Sequence, residues 1–122
     1  MGIGPIEAVR VFVSDLAAAR TFYTDVLGLG VVDHGADVLI LDTGQAKLIV
    51  ERGDLDDSET QDLVGRFTAI SFAVTDADAE CRSLAARGVR IVGWPEQQAW
   101  GGILAHIADP DGNVLTLVQY QA

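Results

Sequence analysis

The sequence predicts an α+β fold in which two tandem βαβββ modules form curled mixed sheets around a cleft. Two observations carry this prediction: a strand pattern that leads into a helical stripe, and a second copy of both at an offset of 61 residues. Three short strand patterns follow each helix, which completes the βαβββ order twice. We expect one domain, with module 1 at about residues 1–52, an acidic connector at about 53–65 and module 2 at about 66–122.

Each module begins with a strand that leads into a helix. In residues 8–15 and 69–76 the larger apolar side chains stand at alternate positions, as in a strand with one packed face. These segments end in Asp15 and Asp76, whose carboxylates are suited to cap a following helix. Helical stripes are expected over about residues 16–27 and 77–87, with Gly28 and Gly88 as their stops. The remaining strands are expected at 29–33, 38–41 and 46–51, then at 89–92, 103–108 and 114–120.

Composition and charge restrict the classes of function. With 49% apolar and 21% charged residues, the chain is expected to be globular. We expect neither a signal peptide nor a membrane span, because no basic start and no apolar run of about 20 residues is found. Cys81 is the only cysteine, which favours a buried thiol and a reducing, cytoplasmic location. The net charge of −10 argues against nucleic-acid binding and favours a cationic ligand, or it serves solubility alone.

The two-residue period of a strand separates the side chains that cover the helix from those on the opposite face. Val9, Val11 and Val13 are expected to cover the first helix, so the residues between them point the other way. The opposite face mixes apolar and isolated polar side chains, which favours a cavity lining over an exposed or dimer-covered sheet. Its expected members are Ala8, Arg10, Phe12, Lys47, Ile49, Glu51, Ala69, Ser71, Ala73, Leu104, His106, Val114, Thr116 and Val118.

Several motifs, in this order, resemble those of the vicinal oxygen chelate superfamily, which includes glyoxalase, bleomycin-binding resistance proteins, fosfomycin-modifying enzymes and extradiol dioxygenases. The motifs are Val13-Ser14-Asp15-Leu16, Phe22-Tyr23, Val26-Leu27-Gly28-Leu29, Trp100-Gly101 and Asp109-Pro110-Asp111-Gly112-Asn113. The resemblance covers nearly the whole chain. It implies paired βαβββ modules that curl around a cleft and, for a chain of this size, a homodimer whose subunits often complete each other's sites.

The resemblance also implies four metal-ligand positions, two in each module. Metal-dependent members carry His or Gln on the first strand of a module and Glu on the last. In this sequence those positions are Ala8, Ile49 (Leu48 if the strand is shifted by one residue), Ala69 and Thr116. None of these side chains is a good metal donor. The other candidate donors, Glu7, Glu51, His34 and His106, do not form a complete set. We therefore expect no metal, no cofactor and no metal-dependent chemistry of the usual kind.

Three functions remain open at the level of the sequence. The leading hypothesis is a metal-free protein that binds a small organic molecule, such as an antibiotic or another cationic or aromatic compound. Its expected ligand-binding residues are Arg10, Phe12, Lys47, Glu51, Ser71, Trp100, His106 and Thr116, with Trp94 as a further stacking candidate. Arg10 is equally suited to pair with Glu51 or with an acid of the other subunit. The second hypothesis is a metal-independent enzyme of lyase or isomerase type with His106 as acid or base. The third is a non-catalytic assembly subunit.

Overall fold

Each half of the chain forms its own four-stranded mixed sheet, with a helical segment after the first strand. The computed structural model describes residues 2–54 and 56–121. The chain divides into two units at the bond between Gly65 and Arg66. The α+β class and the two βαβββ modules that the sequence predicts are therefore confirmed.

The first unit contains a sheet with the strand order β1-β4-β3-β2. Strands β1 and β4 run parallel, and the other neighbours run antiparallel. A parallel pair needs a long connection, which the helical segment after β1 and the two strands that follow it supply. The elements are β1 (Ala8–Val13), α1 (Leu16–Arg20), a π-helical segment (Thr21–Val26), β2 (Gly30–His34), β3 (Val38–Asp42), β4 (Lys47–Arg52) and α2 (Ser58–Gln61).

The second unit repeats this arrangement with the strand order β5-β8-β7-β6. Its parallel pair is β5 and β8, and the other two pairs are antiparallel. The elements are β5 (Phe67–Ala73), α3 (Ala77–Ala86), β6 (Arg90–Gln97), β7 (Ile103–Ala108) and β8 (Val114–Gln119). No helix in the described part of the chain is both long and apolar enough to span a membrane.

Burial follows the alternation that the sequence predicts. In β1, Val11 and Val13 are buried, whereas Phe12 between them is half-buried and Arg10 is exposed. The same alternation in β4 buries Leu48 and Val50. A strand buries every second side chain against a helix, so this pattern fixes the face that α1 covers. The buried apolar residues of the second unit are Ala77, Cys81, Leu84, Ala105, Ile107, Ala108, Leu115, Leu117 and Val118.

Aspartates begin both of the longer helical segments, as expected. The Asp15 carboxylate accepts a hydrogen bond from the Ala18 N–H at 3.0 Å. In the second unit, the Asp76 carboxylate accepts one from the Ala79 N–H at 3.1 Å. Each carboxylate satisfies a backbone donor that the first helical turn leaves without a partner. The stops are also as expected, because Gly28 and Gly88 both adopt positive φ.

The first helical segment differs from the single α-helix expected over residues 16–27. It is α-helical only to Arg20, and a π-helix continues to Val26. The Leu27 N–H donates to the carbonyl of Phe22 at 2.9 Å, which is the five-residue spacing of a π-helix. The Thr24 hydroxyl donates to the Arg20 carbonyl at 2.6 Å and so competes with the backbone for this acceptor.

The larger differences from the expected elements concern two strands and the connector, and the other strand bounds agree to within one residue. Strand β5 begins at Phe67 instead of Ala69, and β6 continues to Gln97 instead of ending at Val92. The expected connector contains the short helix α2, which starts after Asp57. Irregular pairing explains the missed length of β6, because its register against β7 shifts twice and breaks the simple alternation.

Candidate ligand-binding faces

The open face of the first sheet carries an ion pair that occupies two of the expected binding residues. The Arg10 Nε and Nη2 atoms donate to the two carboxylate oxygens of Glu51 at 2.8 and 3.0 Å. The guanidinium lies 5.1 Å from the centroid of the Phe12 ring. Arg10, Phe12 and Glu51 therefore form one cluster, in which a two-point contact and a cation–π contact fix the guanidinium plane.

Lys47 lies on the same strand as Glu51 but pairs elsewhere. Its Nζ donates to a carboxylate oxygen of Glu7 at 2.8 Å, so the acid just before β1 neutralises the amine. The sequence pattern predicts no contact between Glu7 and Lys47. The contact is explained by the sheet register, because Ala8 and Lys47 are Cα partners across β1 and β4.

These pairings shift the pKa values of Arg10, Lys47 and Glu7. The hydrogen bond and the charge of Glu51 raise the pKa of Arg10 above its ordinary value. Lys47 lowers the pKa of Glu7 through the same two effects, and Glu7 raises the pKa of Lys47. All three groups are solvated, so the energetic value of the pairs is small. Their consequence is electrostatic: both cations on this face already have a carboxylate beside them.

The open face of the second sheet carries a polar row across three neighbouring strands. His106 on β7 is the Cα partner of Thr116 on β8, and Thr116 is the partner of Ser71 on β5. The His106 Nδ1 and the Thr116 Oγ1 are 3.0 Å apart and form a hydrogen bond. Thr116 is only 4% exposed, whereas Ser71 is exposed and His106 is half-buried. The structure thus brings three of the expected binding residues together.

Phe67 belongs to this row, although it was not among the expected site residues. The centroids of the Phe67 and His106 rings are 6.0 Å apart, with an interplanar angle of 69°. Phe67 is 57% exposed, so the ring covers one side of the imidazole and keeps a face in solvent. The signal was present in the sequence, because residue 67 has the same strand parity as Ser71. The expected strand starts at Ala69, two residues after its observed start, and so leaves Phe67 out.

An irregular stretch of β5 leads from Phe67 to Ser71. Phe67 pairs with Val114 and Ser71 pairs with Thr116, so β5 uses four residue steps where β8 uses two. Ala69 lies in this stretch and has a φ of 63°, the left-handed region that L-residues with a Cβ rarely adopt. The Thr68 hydroxyl donates to the Val114 carbonyl at 2.7 Å and accepts from the Ile70 N–H at 3.2 Å. These contacts stabilise the irregular backbone that places Phe67 beside His106.

The two tryptophans lie apart from the polar row in sequence and are largely exposed. Trp100 is on the loop before β7, and its ring centroid is 6.3 Å from that of Tyr120. The Trp100 ring also lies directly over Gly102, where a Cβ atom would come within 2.0 Å of it. Trp94 is in β6 and is 53% exposed. Trp100 therefore packs against its own sheet and at the same time offers an aromatic surface to solvent.

The Asp109-Pro110-Asp111-Gly112-Asn113 motif has a structural role. The buried carboxylate of Asp109 accepts hydrogen bonds from the Asp111 N–H and the Asn113 N–H, both at 2.9 Å. It also accepts one from the Asn113 side-chain amide at 2.9 Å. The Asn113 side-chain oxygen in turn accepts from the Arg66 N–H at 3.3 Å. The motif shapes the turn between β7 and β8 and ties it to the start of β5.

A concavity of about 460 Å³ lies in the first unit and shares no residue with the expected site. Its walls are polar, and the Arg52 guanidinium in it already pairs with Asp37 at 2.8 Å. Ligand sites for organic molecules are mainly apolar with a few placed polar groups. We therefore assign no ligand to this concavity, whose lining residues are Ser14, Asp37, Arg52, Gly53, Asp54 and Asp56.

The residues at the four family ligand positions do not fit a metal ion. In the first sheet the residue two after Ala8 pairs with Ile49, and in the second the residue two after Ala69 pairs with Thr116. Each half therefore repeats the same diagonal relation between its two positions. Three of the side chains have no donor atom, and the Thr116 hydroxyl is bonded to His106. Among residues 2–54 and 56–121, no three His, Cys, Asp or Glu side chains are grouped closely enough to hold a metal.

Comparisons with known proteins agree with this architecture. One similar structure is from Sphaerobacter thermophilus and is described as a member of the glyoxalase/bleomycin resistance protein/dioxygenase superfamily. Its TM-score is 0.81 and its sequence identity is 25%, and the match covers 98% of this chain and 99% of the Sphaerobacter chain. TnmS3, an antibiotic binding protein from Streptomyces sp. CB03234, has a TM-score of 0.76 and 29% identity, and covers 98% of both chains.

Other comparisons bear on the fold alone or give no match. Lactoylglutathione lyase from Agrobacterium tumefaciens has a TM-score of 0.76 but only 20% identity, with 98% of this chain and 96% of its own covered. No curated protein matches the chain.

The family model described as Glyoxalase/Bleomycin resistance protein/Dioxygenase superfamily matches residues 3–117, which is nearly the whole length. The chain therefore belongs to the glyoxalase/bleomycin resistance protein/dioxygenase superfamily.

Proposed function

We propose that this protein binds a small organic molecule without the help of a metal ion. The observation that carries the proposal is the state of the family ligand positions. Ala8, Ile49 and Ala69 offer no donor, and Thr116 orients a histidine instead. The open face of the second sheet nevertheless keeps a hydrogen-bonding row beside an exposed aromatic ring. Such a combination of apolar surface and few polar groups is typical of sites for organic ligands.

Two further facts support a binding role. TnmS3, which is 29% identical over 98% of both chains, is an antibiotic binding protein. The exposed rings of Trp100 and Tyr120 add an aromatic surface on which a flat molecule can stack. We also propose Arg10, Phe12, Lys47 and Glu51 of the first sheet as ligand contacts. The two cations among them are ion-paired, so neither is a free cation.

The proposal extends to the setting in which the protein works. We propose one domain that acts as a cytoplasmic homodimer. A net charge of −10 disfavours contact with nucleic acid, because phosphates would be repelled. Native mass spectrometry of the purified protein gives the number of subunits, and any small molecule that co-purifies gives the ligand class.

The metal content of the purified protein is measured first. The protein is then titrated with a panel of aromatic antibiotics, and binding is measured by tryptophan fluorescence and by calorimetry. We expect saturable binding that is the same with and without a chelator. Ser71→Ala should weaken binding several-fold, because its exposed hydroxyl lies in the polar row. The matched control is Ser83→Ala, which removes an exposed hydroxyl from α3. Stoichiometric metal, or binding that requires an added divalent ion, would contradict the proposal.

A second candidate function is a metal-independent enzyme with His106 as acid or base. One observation favours it: the Thr116 hydroxyl fixes the imidazole through its Nδ1 atom, as a catalytic histidine requires. The two functions are separated by His106→Ala. An enzyme would lose turnover while ligand binding persists, whereas a binding protein would lose affinity and show no turnover in the wild type.

A further inference from the structure

We propose that the open face of the second sheet recognises an aromatic ligand through a carbonyl or phenol oxygen, with the Nε2–H of His106 as the donor. This inference rests on the proposed binding function and names the ligand class and the residue that selects it. Three features of the second sheet support it: the proton position on His106, the packing of its ring, and the charge of the surrounding face.

The hydrogen bond to Thr116 determines which imidazole nitrogen carries the proton. Thr116 is 4% exposed, and its hydroxyl has no other hydrogen-bond partner among the described residues. A buried hydroxyl needs an acceptor for its hydrogen, and the Nδ1 of His106 at 3.0 Å is the one available. When Nδ1 accepts, a neutral imidazole holds its proton on Nε2. His106 then presents an N–H donor on the side away from Thr116.

Packing holds this donor in place and leaves it free for a ligand. Gly93 is the cross-strand partner of His106, and a Cβ atom at Gly93 would lie 3.2 Å from the His106 Cδ2. The ring therefore lies close to the β6 backbone at its Cδ2 atom, which is the carbon bonded to Nε2. Phe67 contacts the ring from another side at 6.0 Å. The Nε2 atom has no hydrogen-bond partner in residues 2–54 and 56–121, and His106 is only half-buried.

The character of the face selects a neutral, aromatic ligand. Phe67 offers an exposed ring for stacking beside the donor. Ser71 lies two strands from His106, so its hydroxyl is roughly 10 Å away along the sheet, two strand spacings, and can contact a second polar group. Glu96 on β6 is exposed and is the Cα partner of Leu104, so this face also carries a carboxylate, which disfavours an anionic ligand. Since the whole chain carries a net charge of −10, a neutral oxygen is favoured over an anionic one.

The first test needs no ligand. Long-range proton–nitrogen NMR spectra of the uniformly labelled protein distinguish the two tautomers of His106. We expect the Nε2–H form at neutral pH, and a shift toward a mixture in Thr116→Val, which removes the hydroxyl that donates to Nδ1. His34 is exposed and serves as an internal reference for an unconstrained imidazole. A His106 signal from the Nδ1–H form would overturn the inference without affecting the proposed binding function.

The second test compares 2-acetylnaphthalene with 2-ethylnaphthalene, which differ by one carbonyl oxygen at nearly equal size. We expect the acetyl compound to bind the wild type roughly five-fold more tightly, the value of about one neutral hydrogen bond. In His106→Phe, which keeps a ring but has no donor, the two affinities should become equal. Circular dichroism and thermal unfolding of this variant show whether it is folded, and His106→Gln, which restores an amide donor, should recover part of the preference.

The outcomes of the second test are distinguishable. Equal affinities of the two compounds for the wild type would overturn the recognition of an oxygen by His106 but leave the binding function standing. A preference that survives in His106→Phe would place the donor elsewhere and also overturn the inference. Failure of both compounds to bind would count against the proposed function and the inference together.

Discussion

Glycine at position 102 makes room for the Trp100 ring. A Cβ atom there would lie 2.0 Å from one carbon of the indole and 2.9 Å from the Gln119 carbonyl oxygen. Real Cβ atoms do not approach so closely, so Gly102→Ala must displace the indole. We expect a changed tryptophan emission maximum and a loss of about 1 to 3 kcal/mol of stability, because the contact with the Gln119 carbonyl oxygen persists after the indole moves.

Gly30→Ala is the matched control for this prediction. Gly30 has ordinary backbone geometry, and a Cβ atom there would meet nothing within 4 Å. Fluorescence and urea unfolding should therefore be nearly unchanged. If Gly102→Ala left the emission unaltered, Trp100 would not rest on the sheet as described, and its exposed ring would be free to move.

Cys81 is the buried filler that the helical pattern predicted, with an exposure of 0%. Burial raises the pKa of its thiol, and the nearby charges of Asp78 and Glu80 raise it further. A thiol of this kind forms little thiolate and reacts slowly. We expect a thiol reagent at pH 8 to modify the folded protein far more slowly than the protein in urea. Equal rates would show that Cys81 is accessible in the native state.

The raised pKa of Cys81 also gives a pH dependence with a definite sign. The thiol binds its proton more tightly in the folded chain, so its contribution to stability is complete below the unfolded-state pKa of about 8.5. This contribution is lost as the pH rises through the folded-state pKa. The free energy of unfolding of the wild type, minus that of Cys81→Ala, should therefore be constant below about pH 8.5 and fall above it.

At the scale of single elements, the left-handed residue in β5 is open to a direct test. Ala69 has a φ of 63°, which costs an L-residue with a Cβ about 1 to 2 kcal/mol, whereas glycine adopts it freely. Glycine also gives the unfolded chain more freedom, by about 0.5 to 1 kcal/mol. We expect Ala69→Gly to be at least as stable as the wild type in urea unfolding.

Ala73→Gly provides the comparison, because Ala73 is exposed in the same strand and has no positive φ. It should lose about 0.5 to 1 kcal/mol, since it has the entropic cost of glycine without any relief of strain. Equal losses in the two variants would show that Ala69 is not strained. A β-branched residue at position 69 should be worse than either glycine variant, because its Cβ substituents oppose this φ.

The π-helical segment shows how one side-chain hydrogen bond, from Thr24, accompanies a change of helix type. Phe22 and Tyr23 are adjacent in the sequence, yet both are buried, and their ring centroids are 5.0 Å apart in an edge-to-face contact. The apolar stripe identified these residues as core but could not reveal the wider helix. The cause is local and polar: the hydroxyl of Thr24 takes the Arg20 carbonyl. The spacing of apolar residues carries no information about this competition for a backbone acceptor.

For the whole molecule, the sequence predicted the fold class and the division of side chains between sheet faces, because both depend on periodicity. Alternation identified Arg10 and Glu51 as residues of one face, and their pairing is one of the alternatives that the sequence allows. The polar row of Ser71, His106 and Thr116 was predicted by the same parity, and their use by a ligand remains a prediction. Membership of the family followed from the spaced motifs and is confirmed by the matching family model.

What the sequence could not predict are features that depend on breaks in regular structure or on partners distant in the chain. The long irregular stretch in β5 shifts its register, so the strand start and Phe67 were missed. The Lys47–Glu7 pair arises from the register of two strands about forty residues apart. The proton position on His106 depends on a single contact with Thr116. None of these has a period that a sequence pattern can show.

Each sheet takes all four of its strands from its own half of the chain. A substitution that alters the exposed side chains of one sheet therefore leaves the strand pairing of the other sheet intact. The exposed side chains of one half can therefore change, and with them its binding chemistry, while both halves keep their strand order. The ion-paired first face and the hydrogen-bonding second face show that one strand order accommodates two different sets of side chains.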